Sequence, residues 1–225
     1  MGLTLDPLQH RYWLDGREFP SITTVLQDCG MTTSKWFGDD SQYRNRGTAV
    51  HELCADIATL ERPDSTCVWD GTCTCGAVGE CRHTVAFPYA RSFEQWVRRA
   101  GFVVEPGMIE LRVWSATLQC AGTLDLWGHA GRHRVLVDLK SGQPQNGAAL
   151  QLAAYRWMAR ECMDVETDES YCLWLDRDGG FPKVVQPKNP AADERIFQSL
   201  MEVWWWRRAH GMLPWKAGTE TGYSR

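Results

Sequence analysis

No run of about 18 apolar residues occurs anywhere in the 225-residue chain, so a membrane-spanning helix is not expected. Neither sign of charge dominates: 24 lysines and arginines stand against 28 aspartates and glutamates, a formal net charge of −4. That balance excludes a histone-like protein coated in positive charge, but it leaves room for a local basic groove on an acidic body. The first fifteen residues carry Asp6, His10, Arg11 and Asp15 and lack an apolar h-region, so no secretory signal is expected. Internal repeats and low-complexity tracts are also lacking. With 44% hydrophobic and 23% charged residues the chain has a globular rather than a disordered composition. A chain of this length buries about 70% of its unfolded surface, which suits a single domain over residues 1–225. Cysteine is plentiful: nine, an odd count that points to a reducing, cytoplasmic setting.

The order of elements is legible from pattern. Asp15-Gly16 between His10–Leu14 and Arg17–Phe19 is a strong hairpin signal. Ser21 is placed to cap a short helix over 22–27. Val50, Leu53, Cys54 and Ile57 repeat at i, i+3, i+4, i+7, so 44–57 reads as an amphipathic helix. Residues 62–87 hold Pro63, three glycines and four cysteines and read as an insertion, with a helix resuming at Pro88 and ending at Gly101. Strand signals follow at 108–114, 117–127 and 133–139, then a helix around Leu150 to Trp157, a second hairpin around Asp178-Gly-Gly180, and a helix from Ala191 to His210. The expected fold is α/β: a central mixed sheet flanked by helices, in the order αβββαβ.

Chemistry concentrates at two strand ends. In Val135-Leu-Val-Asp-Leu-Lys140, Asp138 and Lys140 interrupt a buried apolar strand and, two apart, share one face. Alone they could be a strand emerging into solvent. Asp125, however, ends the neighbouring strand Cys120–Trp127, and two acids on adjacent strands converge as a hard cation requires. Acids, a lysine and a cation are the parts of metal-assisted phosphodiester hydrolysis. A two-carboxylate glycosidase would need no lysine beside one of its acids.

These segments resemble the PD-(D/E)XK nuclease superfamily, in particular its RecB-like exonuclease branch and the phage members of it. Gly47-Thr-Ala-Val-His51 resembles the first motif, Gly122-Thr-Leu-Asp125 and Asp138-Leu-Lys140 the acidic core, and Gln151-Leu-Ala-Ala-Tyr155 the Q-x-x-x-Y motif. Glu110 stands on the preceding strand, and Pro20–Val25 is similar to the start of phage members. The resemblance covers about residues 10–160 and implies a restriction-endonuclease-like core. It implies a Mg²⁺- or Mn²⁺-dependent deoxyribonuclease, exonuclease rather than endonuclease, acting in recombination, repair or phage DNA processing, in a bacterial cell or phage-infected host. The implied metal ligands are His51, Asp125, Asp138 and the Leu139 carbonyl. Lys140 would orient water and stabilise charge, Gln151 and Tyr155 would support the reaction or touch DNA, and Glu110 would be an accessory acid. Arg44 and Arg46, just before the first motif, are phosphate-contact candidates. The implied partners are DNA, a single-strand-annealing or other recombination protein, and a second copy of the chain. Two other classes stay open: an endonuclease module of a larger complex, and a non-catalytic DNA-binding or assembly protein of the same fold.

Cys67, Cys73, Cys75 and Cys81, with His83 as an alternative, offer soft ligands in a Gly-rich loop that has few apolar side chains of its own. One structural Zn²⁺, an iron–sulfur cluster and an unmetallated loop are the three readings, zinc being favoured over iron–sulfur. The tryptophans, including the Trp204-Trp205-Trp206 run, are expected in the core or an interface rather than as stacking platforms for bases.

Overall fold

The computed structural model describes residues 2–6, 11–32, 40–59 and 82–213, without the side chains of residues 40–45, 82 and 83. The cysteines at 67, 73, 75 and 81 and the side chains of Arg44 and His83 thus lie outside the described residues, and so does the proposed zinc site.

Asp15 and Gly16 both take positive φ (48° and 83°), as a two-residue type I′ turn demands. They join β2 (Arg11–Leu14) to β3 (Arg17–Phe19), and β1 (Leu3–Asp6) pairs with β2 to complete a three-stranded antiparallel sheet. Tyr12, Leu14 and Phe19 bury one face of this sheet against Ala121 and Trp114. Ser21 caps α1 (Ile22–Asp28), its Oγ accepting from Thr24 N at 3.0 Å, and the helix buries Ile22, Val25 and Leu26.

α2 (Asp40–Thr59) contains the amphipathic stretch and buries Ala49, Val50, Leu53, Cys54 and Ile57. α3 (Arg82–Ala100) starts before the expected Pro88, so residues 82–87 belong to this helix rather than to the insertion. Pro88 lies within α3 and has no N–H to give the carbonyl four residues back. Ala86, Phe87 and Ala90, all packed in the core, carry the helix through that gap.

The central sheet contains β4 (Phe102–Ser115), β5 (Cys120–Ala130), β6 (His133–Lys140), β7 (Glu169–Trp174) and β8 (Lys183–Val185), in that spatial order. All neighbours are antiparallel except β6 and β7, which run parallel around the crossover helix α4 (Ala148–Met163). α5 (Pro190–Ala209) closes the described chain, capped by Asn189. Leu126, Val135, Val137, Leu139 and Leu173 pack one sheet face on α2 and α3. Val113, Leu124, Leu136 and Cys172 pack the other on α1, α4 and α5, joined there by Trp174 and Trp204. Trp206 remains exposed, stacked on His210. The architecture is a mixed α/β sandwich with β5 and β6 inside it, and each buried large apolar side chain there is worth about 1.5–3 kcal/mol. Exposed ion pairs contribute at most about 1 kcal/mol each, so the two cores are what hold the site's strands rigid. Among the described residues no helix is long and apolar enough to cross a membrane.

Candidate metal centre

The site forms where the pairing of the central strands is interrupted. The register of β4 on β5 shifts between Val104 and Ile109, a stretch that contains Pro106 and Gly107. Pairing resumes with Ile109 opposite Leu126 and Leu111 opposite Leu124, which sets Glu110 across from Asp125. Glu110 itself has φ 47°, a left-handed conformation that costs a non-glycine residue about 1–3 kcal/mol. Irregularities of this kind re-aim side chains. Here the carboxylate is aimed at α2, where Glu110 Oε1 lies 2.7 Å from His51 Nδ1.

The β5–β6 register runs from Ala130–His133 to Leu126–Val137 and ends just before Asp125 and Asp138. Asp125 occupies this fork. Its Oδ2 accepts the Leu139 N–H at 2.6 Å, and its Oδ1 lies 3.7 Å from His51 Nδ1. One ligand atom each from His51, Glu110 and Asp125 therefore lies within 4.8 Å of the others, a group that could hold a divalent cation.

Asp138 is adjacent but otherwise engaged. It is 1% exposed, and its oxygens lie 2.8 and 2.7 Å from Lys140 Nζ. Cys172, its register partner on β7, donates its thiol to Oδ2 at 3.6 Å. The Lys140 side chain remains 27% exposed, so the pair sits at the edge of the core. The Q-x-x-x-Y pair lies on the inward face of α4, where both side chains are buried and Gln151 Nε2 donates to Tyr155 Oη at 3.3 Å. Gly122 makes room for this arrangement: a Cβ there would lie 2.9 Å from Tyr155 Cε1 and 3.0 Å from Ile22 Cδ1. Arg46 reaches the strand end beyond Lys140, donating to Ser141 O at 3.4 Å with its guanidinium over the Tyr89 ring.

Electrostatics follow from concentrating acids in a poorly solvated fork. Burial pushes the carboxyl groups of Asp125 and Asp138 above the usual carboxylate range, against the pull of His51 on the first and Lys140 on the second. Burial disfavours the His51 cation, yet Asp125 and Glu110 outweigh it and push the imidazole up to about 9. Burial likewise works against the Lys140 ammonium, and Asp138 and Asp125 override it, so the lysine stays charged. Tyr155 is raised by burial and then by the charges of Asp138 and Asp125. Three carboxylates against one imidazole and one ammonium form an environment that favours a cation.

The structure thus brings together His51, Glu110 and Asp125, with the Asp138–Lys140 pair at the adjoining strand end, and it buries Gln151 and Tyr155 on α4. Of the ligand set implied by resemblance, Asp138 falls outside the close group, Glu110 falls inside it, and Leu139 meets Asp125 through its N–H. Sequence reading did not find Cys172. Its contact arises from parallel pairing across a helical crossover, which leaves no spacing signal.

No protein-family model matches the chain, and no curated protein matches it. Among solved structures it is similar to a candidate exonuclease from Eubacterium rectale, with 10% identity, a TM-score of 0.48, and coverage of 80% of this chain and 71% of that one.

Proposed function

We propose that the protein is a metal-dependent deoxyribonuclease of the PD-(D/E)XK type, acting as an exonuclease. The observation that carries this reading is the convergence of His51, Glu110 and Asp125 at a strand fork, with the Lys140 ammonium held beside them by a buried acid. Two carboxylates and one imidazole suit Mg²⁺ or Mn²⁺, hard cations that take oxygen ligands and tolerate one nitrogen. Such a cation, when bound, polarises a phosphodiester and lowers the pKa of a coordinated water.

The chain's own groups supply the rest. Glu110 and Asp125 hold the His51 ring, which keeps three donors from α2, β4 and β5 together. Asp138 fixes the Lys140 ammonium by two short contacts, leaving its exposed side to orient a water and meet charge developing on phosphate oxygens. Tyr155 and Gln151 are buried on α4, joined by a hydrogen bond, so any part they play is to support the strand ends rather than to touch solvent-borne substrate. Arg46 offers a guanidinium to a phosphate at the mouth.

The test is digestion of linear and circular DNA, labelled separately at each end, with Mn²⁺, with Mg²⁺ and with EDTA. Cation-dependent release of label from linear DNA alone supports an exonuclease. Nicking of circles moves the reading to an endonuclease, and DNA binding without cleavage to an assembly protein.

A further inference from the structure

The face of β4 and β5 that carries the metal group is covered by α2 and α3 at one end and by the β1–β3 sheet at the other. Between Glu110 and the β1–β3 sheet, that face presents Arg112 and, directly opposite it, Thr123. The strand alternation fixes their direction. Trp114 and Ala121 pack with Tyr12, Leu14 and Phe19, whereas Val113 and Leu124 belong to the opposite core, so Arg112 and Thr123 share the side of the β1–β3 sheet. Thr123 Oγ1 lies 2.9 Å from Tyr12 Oη, a bond that uses one of the two hydroxyl protons and leaves the other to serve a ligand.

Arg112 is exposed, and none of the ion pairs among the described residues includes it. Arg134, Arg156, Arg160 and Arg208, by contrast, each hold a carboxylate. A guanidinium without a carboxylate, beside a group of acids, is suited to a planar, bidentate grip on phosphate oxygens. Two residues along a strand span about 6.6 Å, so Arg112 stands one nucleotide step from Glu110. Arg46 flanks the group on its other side, at the end of β6.

We propose that Arg112, backed by the Thr123 and Tyr12 hydroxyls, binds the backbone phosphate next to the one at the metal group. The DNA strand then crosses the site between Arg46 and Arg112, toward the β1–β3 sheet. This rests on the deoxyribonuclease reading and adds to it a substrate-binding residue.

The experiment compares wild type, Arg112→Gln, Arg112→Lys and, as an exposed control at the far end of the sheet, Arg132→Gln. Cleavage of end-labelled DNA in Mn²⁺ gives KM and kcat. Binding with Ca²⁺ in place of Mn²⁺ is followed across a salt series, and thermal unfolding confirms that each variant is folded. Arg112→Gln is expected to raise KM and Kd about 10-fold, leave kcat within about 3-fold, and lower the slope of log K against log salt by about 1. Arg112→Lys falls between, and Arg132→Gln matches wild type. An Arg112→Gln enzyme with wild-type KM and salt slope, beside an active wild type, overturns the inference and leaves the nuclease reading standing. A fall in kcat alone also overturns it. A wild type that neither binds nor cleaves DNA overturns both.

Discussion

Replacing Lys140 with methionine keeps the apolar stem of the side chain and removes only the ammonium. Asp138, 1% exposed, then loses its contacts at 2.8 and 2.7 Å and keeps only the Cys172 thiol at 3.6 Å. Breaking a buried pair costs about 3–5 kcal/mol, and the 27% exposure of Lys140 sets this one at the lower end. The loss has a ceiling, because the stranded carboxylate can take up a proton instead. At about 1.36 kcal/mol per pH unit above an unfolded value near 3.9, that uptake costs about 4 kcal/mol at pH 7 and about 1.5 kcal/mol at pH 5. The sign follows: without the ammonium the Asp138 folded pKa, already raised in the wild type, rises further, so the variant binds more protons folded than the wild type does and its loss grows as pH rises above about 4. Urea unfolding in EDTA at both pH values measures this. The expected loss is about 3–4 kcal/mol at pH 7 and about half that at pH 5, and the Asp138→Asn/Lys140→Met double variant recovers most of it. A loss below about 1 kcal/mol at pH 7, an equal loss at both pH values, or a double variant no better than the single refutes the buried-pair reasoning.

Three further outcomes follow from the same geometry. Gly122→Val drives side-chain carbon into Tyr155 and Ile22 and is expected to cost at least about 1–3 kcal/mol, read as a lowered midpoint in urea, while Ile22→Val eases the clash in the double variant. Glu161 accepts from Ser115 Oγ, Thr117 N, Thr117 Oγ1 and Trp157 Nε1, and these bonds outweigh burial to hold its pKa below the usual value. Its stabilisation is therefore full above about pH 4.3 and lost as pH falls through the lower folded value, a dependence that thermal melts of Glu161→Gln between pH 3 and 6 should lack. His51→Ala and Glu110→Gln each weaken Mn²⁺ binding by at least about 10-fold in calorimetric titration, since each removes one of three convergent donors.

The parts of this structure visible in the sequence are those governed by local rules. The Asp15-Gly16 turn, the Ser21 cap, the stripe of α2 and the αβββαβ order each follow from a few neighbouring residues. Elements ruled by tertiary packing were less visible. β1 is four residues long, too short to show alternation, and is held by pairing with β2. Pro88 reads as a helix start because it cannot accept an interior position without losing a bond, yet Phe87 and Ala90 pack strongly enough to keep it inside α3. Pro106-Gly107 reads as a break before a short strand, and β4 instead runs through it with a register shift. That shift is why the place of Glu110 beside His51 could not be read from spacing alone. The i, i+2 pairing of Asp138 with Lys140 was readable from the strand period. The depth at which it is buried depends on α4 and on Cys172, a strand away across the crossover.

Under the proposed function, His51, Glu110 and Asp125 form the reacting centre of a cation-dependent nuclease. Asp125→Asn tests it most directly, because the amide oxygen can still accept the Leu139 N–H while the ligand's charge is gone. The measurement is the rate of end-labelled DNA hydrolysis in Mn²⁺ by wild type and by Asp125→Asn, each shown to be folded by circular dichroism. Wild type is expected to cleave in a way that EDTA abolishes, and the variant to cleave at least about 100-fold more slowly. Cleavage by Asp125→Asn at the wild-type rate, or by wild type in EDTA, would contradict it.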